Sequence, residues 1–287
     1  MGNKKIGVEG ILVGGYTDYK AESGITVIVP ENANNIAGIS QRGGSPATLG
    51  TDLLKPMHRG NQSVDAIVLT GRSVFGFRAV NGVLLSLYEK GRGFKIGRLN
   101  VPIIAAAAIF DFYQNYIIPN EEWGLKAMER LSSEIPIGRH WAGRGATVGK
   151  IKGINYAKPS GQGYYEMEKG KLVVGVISIV NSIGNVYDEY GNMIMGIKEN
   201  EENYYTDLSL GTTLGVVITN AKLNNSDACR IASSAENGFS SVIRPYNLSL
   251  DGDTVFTIAT NEINADVDDV ITLAYYAARK SVISIFV

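Results

Sequence analysis

Short apolar runs punctuated by glycine dominate the chain. Residues 25–29, 66–69, 101–104, 172–180, 214–219 and 255–260 are rich in β-branched and apolar side chains, with turn residues at their ends, the pattern of buried strands. Apolar positions recur at three- and four-residue spacing over about 73–90, 121–133, 226–242 and 267–284, which predicts four helices. Ser226 with Asp227, and Asp266 with Asp268 and Asp269, set caps and acids at the N-terminal ends of the last two, as the helix dipole prefers. The 34 glycines fit many strands joined by tight turns better than a helical bundle, so the predicted fold class is α/β.

Composition narrows the function more than the fold. At 287 residues, 45% hydrophobic and 19% charged, the chain is long enough for one large or two small globular domains. A formal net charge of -1 leaves no basic stripe for nucleic acid, and no apolar run reaches the roughly 18 residues a membrane span requires. Small-molecule or peptide chemistry is expected. The first 15 residues lack a continuous apolar segment with a small-residue cleavage site, so a cytoplasmic protein is expected. Residues 281–287 are expected to dock on the core. Cys229 stands alone and reads as a structural thiol, and His58 and His140 have no metal-ligand spacing around them. Lys198 to Leu210, with its cluster of Glu and Asn, is the one good linker.

That linker ends at Gly211-Thr212-Thr213-Leu214. Alone this is a strand that starts with two threonines. Were the Gly211-Thr212 bond cut, however, Thr212 would carry a free α-amine of pKa about 8 beside its own hydroxyl, supplying nucleophile and base in one residue. Gly211 would let the backbone bend for self-cleavage. Asp251-Gly252-Asp253 reads either as a hairpin turn or as two carboxylates that hold the Thr212 ammonium or hydroxyl. Gly145 to Lys150 resembles a phosphate loop, but Ile151 follows the lysine where Ser or Thr is required, so Lys150 is a solvated charge or an electrostatic partner for a nucleophile. Asn181 is a turn residue or an oxyanion donor. Ser73, in a segment that misses the Gly-x-Ser-x-Gly elbow, reads as a helix cap with a backbone able to line a pocket. Tyr113, Tyr116, Tyr204 and Tyr205 are expected at surfaces or interfaces.

These pieces occur in an order that resembles the DmpA-type family of self-processing N-terminal-nucleophile amidohydrolases, which includes L-aminopeptidases, β-peptidyl aminopeptidases and the nylon-oligomer hydrolases. Nearly the whole chain carries the resemblance: Ala37-Gly38-Ile39-Ser40-Gln41-Arg42-Gly43-Gly44, 64–76, 101–111, 143–150, Ser160-Gly161-Gln162-Gly163, 180–188, 211–214 and 251–256. It is greatest to the nylon-oligomer hydrolases, whose nucleophile is a threonine. The resemblance implies Thr212 as nucleophile, Lys150 and Asn181 beside it, and Asp251 with Asp253 as the carboxylate pair. Gly211 stands where nylon-oligomer hydrolases have Asn and aminopeptidase members have Gly. Phe110 stands where the nylon hydrolases have a substrate-side tyrosine, and its hydroxyl is missing.

The resemblance implies a layered αββα sandwich cut into an α fragment, 1–211, and a β fragment, 212–287, that completes the same domain. It implies hydrolysis of amides through an acyl-threonine, foremost 6-aminohexanoate oligomers, with L- or β-peptidyl aminopeptidase and ornithine acetyltransferase-type acyl transfer as alternatives. Phe110 and Ser73 become candidate substrate contacts. No cofactor or metal is called for. The expected partners are an amide substrate and the two fragments themselves, assembled as a tetramer of heterodimers, with no nucleic acid or membrane.

Overall fold

All eight residues of Ser23–Pro30 are buried on both faces, so this strand has to lie inside a sheet that is itself covered on both sides. The computed structural model, which describes residues 2–58, 62–198 and 209–287, shows that cover. In chain order its principal elements are β1 (Ile11–Asp18), β2 (Ser23–Pro30), β3 (Ile36–Gln41), β4 (Thr48–Leu49), β5 (Ala66–Thr70), α1 (Arg78–Glu89), β6 (Ile104–Ala108), α2 (Glu122–Met128), β7 (Gly161–Lys169), β8 (Leu172–Asn181), β9 (Thr212–Ala221), α3 (Asn225–Val242), β10 (Thr254–Ile263) and α4 (Val267–Ile283).

Two five-stranded sheets form, in the orders β7-β8-β9-β10-β3 and β1-β2-β5-β6-β4. Each has one parallel pair, β9 with β10 and β5 with β6, and antiparallel neighbours elsewhere. The layers follow from side-chain alternation along the strands. Leu214, Val216 and Ile218 of β9 meet Ile28, Ile67 and Leu69 of the other sheet in a central core. Val217 and Val255 face the other way, onto Ile231, Phe239, Ala274 and Ala278 of α3 and α4. On the far side, Val27 and Val68 pack on Val83 and Leu87 of α1 and Trp123 of α2. The result is the expected αββα stacking.

Some boundaries move, for physical reasons. The strand expected at 101–104 lies at 104–108, a run that ends in four alanines. Their β propensity is low, but almost every side chain is buried between layers, where small residues pack well. The helix expected from 73 starts as an α-helix only at Arg78, because Arg72 and Ser73 both have positive φ (66° and 51°) and a 3-10 turn follows. The second helix stops at Met128 instead of 133, since Ser132 exchanges backbone hydrogen bonds with Val13 of β1, both at 2.8 Å. Helix α3 is capped by Asn224, two residues before the expected Ser226, and α4 by Asp266. The C-terminal residues dock through Ile285, while Val287 stays exposed. Most of the expected linker, residues 199–208 with Tyr204 and Tyr205, lies outside the described residues. No helix among the described residues is long and apolar enough to cross a membrane.

Candidate active site

Thr212 is the first residue of β9, and the register there pairs it with Asn181, the last residue of β8. On its other side Gly211 bridges to Asp251, just ahead of β10. Three strand ends thus converge where the central core opens. Thr212 and Asn181 share the face of Leu214 and Ile179, so both side chains lie on the side between the sheets.

The Thr212 hydroxyl donates to the Gly211 carbonyl oxygen. That oxygen also accepts the Gly252 N–H at 3.0 Å. Gly211 itself has no positive φ, so relief of backbone strain is not what the position requires. Space is: a Cβ on Gly211 would run into the Asp251 carboxylate and Ile183, and one on Gly252 would come within 2.8 Å of the Thr212 hydroxyl. The tight packing at both positions explains the glycines.

Lys150 is fully buried, which removes its reading as a solvated charge. Its Nζ donates to the backbone oxygen and to Oδ1 of Asn181, each at 2.9 Å. Burial pulls its ammonium down to about 7, against the pull of Asp251, Asp111 and Asp253. The amine is therefore shared between charged and neutral forms near neutral pH. The loop carrying it is not a phosphate cradle: Thr147 and Val148 pair with Pro159 and Lys158, and the Lys150 N–H bonds to Ile183 O at 2.8 Å.

Asn181 is engaged at both ends of its amide. Its Oδ1 accepts from Lys150 and from the Thr147 N–H at 3.0 Å, and its Nδ2 donates to the Phe110 carbonyl at 3.0 Å. In this arrangement the backbone donor on the Gly211 carbonyl, beside the Thr212 hydroxyl, is the Gly252 amide, and Asn181 instead holds Lys150. Asp251 and Asp253 are both buried. Asp251 Oδ2 accepts the Leu248 N–H at 2.9 Å, while Asp253 accepts from the Thr213 N–H at 2.5 Å and the Asn247 N–H at 3.0 Å. With the chain intact Asp253 thus holds the backbone beside Thr212. Burial pushes both carboxyls up, and the Asp251 charge pushes Asp253 further, so the pair favours holding a proton.

Thr212, Lys150, Asn181, Asp251 and Asp253 therefore form one buried cluster. Phe110 joins it through its carbonyl. Ser73 does not cap a helix: Arg72 occupies the cap position without a side-chain bond, and Ser73 donates its N–H to Ile109 O at 2.8 Å, so it lies one backbone contact behind Phe110. Tyr113 was expected at a surface but is largely enclosed, with its hydroxyl 3.4 Å from Lys150 Nζ. Burial raises its phenol. The aromatic run Phe110-Asp111-Phe112-Tyr113 was the only hint of this in the sequence, and the Gly252 amide, a backbone group, left none. Beside the cluster, Tyr113, Thr147, Asp111, Glu22 and Arg139 line a cavity of about 180 Å³. A larger cleft of about 580 Å³, between Tyr165, Tyr190 and Lys280, holds none of the cluster.

Known proteins share this architecture. The model of peptidase family S58 matches residues 3–284. An uncharacterized aminopeptidase of Mycobacterium leprae (strain TN) is 30% identical over 295 residues, covering 90% of this chain and 78% of its own. A 6-aminohexanoate-oligomer endohydrolase of Kocuria sp. (strain KY2) is 25% identical over 276 residues, covering 89% of this chain and 74% of its own. The L-aminopeptidase D-Ala-esterase/amidase of Ochrobactrum anthropi, a variant of the Ntn hydrolase fold, matches with a TM-score of 0.71 at 16% identity over 97% of this chain and 84% of that one.

Proposed function

The chain belongs to peptidase family S58 and is an aminopeptidase-like amide hydrolase, and on that premise we propose that it cuts its own Gly211–Thr212 bond and then works with Thr212 as an N-terminal nucleophile. One observation carries this: the Thr212 hydroxyl sits on the carbonyl it would attack, and that carbonyl already accepts a buried amide from Gly252. In the first step Oγ adds to the Gly211 carbon, its proton passes toward the neutral fraction of Lys150, and the Gly252 N–H meets the developing oxyanion. The C–N bond then breaks as nitrogen takes up a proton, leaving an ester on Oγ and a free α-amine. Water hydrolyses the ester and releases residues 1–211 from 212–287.

The fragments stay together, because β9 lies between β8 and β10, and β10 pairs with β3. Four such heterodimers form the assembly, which light scattering would measure. In the mature site the α-amine takes the hydroxyl proton of Thr212, an acyl-threonine forms on a substrate amide, and Asp251 with Asp253 orient the new ammonium. Electrophoresis tests the first step: the wild type gives two bands and Thr212→Ala gives one band of 30.9 kDa. A single band from both would overturn it.

For the substrate, the threonine nucleophile with its aspartate pair supports 6-aminohexanoate oligoamides, the substrates in the Kocuria relative's name. The higher identity to the mycobacterial aminopeptidase supports release of N-terminal residues. End-blocked oligoamides separate the two, since an aminopeptidase needs a free amine and an endohydrolase does not.

A further inference from the structure

Self-cleavage needs the Gly211 carbonyl carbon held still in front of Thr212 Oγ. Downstream, the ladder of β9 fixes Thr212 and Thr213. Upstream, the Leu210–Gly211 peptide unit is held at both ends: its N–H reaches Leu250 O at 3.3 Å, a long bond, and its carbonyl is held by a side chain. The Tyr113 hydroxyl donates to the Leu210 carbonyl at 3.1 Å. Resting on the self-cleavage just proposed, we propose that Tyr113 is a positioning residue for it, pinning the peptide unit immediately before the scissile one and tying that unit to Lys150.

The geometry suits the role. Tyr113 stacks edge-on against Phe110, with ring centroids 5.7 Å apart, and Asn181 Nδ2 in turn fixes the Phe110 carbonyl. The ring is thereby anchored to the same asparagine that holds Lys150. With its proton donated to Leu210, the phenol oxygen can accept from Lys150 Nζ at 3.4 Å. One hydroxyl bridges the upstream chain and the buried amine. It also supplies, three residues along, a phenol where position 110 has only a phenyl ring. Once the bond is cut, the extra oxygen of the new Gly211 carboxylate has to be fitted beside the Asp251 carboxyl, where space is tight, and that crowding favours departure of the 210–211 tail. The hydroxyl then faces the cavity that Tyr113 itself lines.

The test is the rate of fragment appearance in freshly translated full-length chain, followed by gel over time and pH. Tyr113→Phe should slow cleavage about tenfold, the scale of one uncharged hydrogen bond. It should also move the midpoint of the rate–pH curve to lower pH, because Lys150 loses an acceptor that favours its charged form. Tyr116→Phe, at a position 85% exposed, should match the wild type in both. Tyr113→Met, which also lacks the hydroxyl, repeats the measurement should the Phe variant not fold. Equal rates and midpoints for the wild type and a folded Tyr113 variant overturn the positioning role alone. A wild type that never yields two fragments overturns self-cleavage, and this role with it.

Discussion

Arg72 and Lys150 are both fully buried cations beside carboxylates, one in the turn after β5 and one in the loop before the cluster, yet the protein uses them in opposite ways. Arg72 is locked. Its guanidinium gives hydrogen bonds of 2.7 and 3.1 Å to the backbone and side chain of Asn115, lies 3.8 Å from Asp111, and stacks 4.7 Å over Phe112. Burial lowers its pKa, but an arginine starts so high that it keeps its charge. Among the described residues Lys150 donates to two oxygens of Asn181 and lies 3.4 Å from a phenol, and the same burial brings it to about 7. A cation that cannot lose its proton holds a backbone in place. One that can lose it is able to take part in proton transfer.

The contrast can be broken at either residue. Lys150→Met should slow fragment formation by about 10²–10⁴-fold, the usual worth of a positioned base, with a melting temperature close to that of the wild type. Arg72→Met should do the reverse: it leaves Asp111 buried without its cation and should cost about 3–5 kcal/mol in urea unfolding of the uncleaved Thr212→Ala background, while folded molecules that retain Thr212 cleave at the normal rate. If the arginine variant stalls cleavage without loss of stability, the division of roles fails. A smaller effect sharpens it. Lys150 is depressed, so its neutral form grows as pH rises through about 7, and wild-type cleavage should climb with pH up to that point and level off above it. Lys150→Arg, charged throughout, should be slow with no such rise.

The fold was legible wherever a run was buried on both faces. Residues 172–180 and 214–219 are continuous apolar stretches and became β8 and β9 almost as expected. The strands β1, β3 and β7 went unseen because glycine and polar residues interrupt them: Gly161–Lys169 begins Gly-Gln-Gly and ends in a solvated charged stretch, and only its pairing with β8 makes it a strand. The nucleophile, lysine, asparagine and aspartates were legible through their order along the chain. Their roles were less so. Whether Asn181 donates to an oxyanion or to Phe110 depends on which partner is nearer, and a contact between residues 71 positions apart has no local signature. Tyr113 is the same case: its hydroxyl meets Leu210, 97 positions on.

The alternation along β9 has one more effect. Thr213 follows Thr212 directly, with the same hydroxyl chemistry, and looks like a spare. It faces the helix layer, with its N–H committed to Asp253, so a chain that loses Thr212 has an identical residue next door turned away from the substrate. The pleat makes the tandem threonine a point of no redundancy: moving the cut by one residue would expose an amine on the wrong side of the sheet.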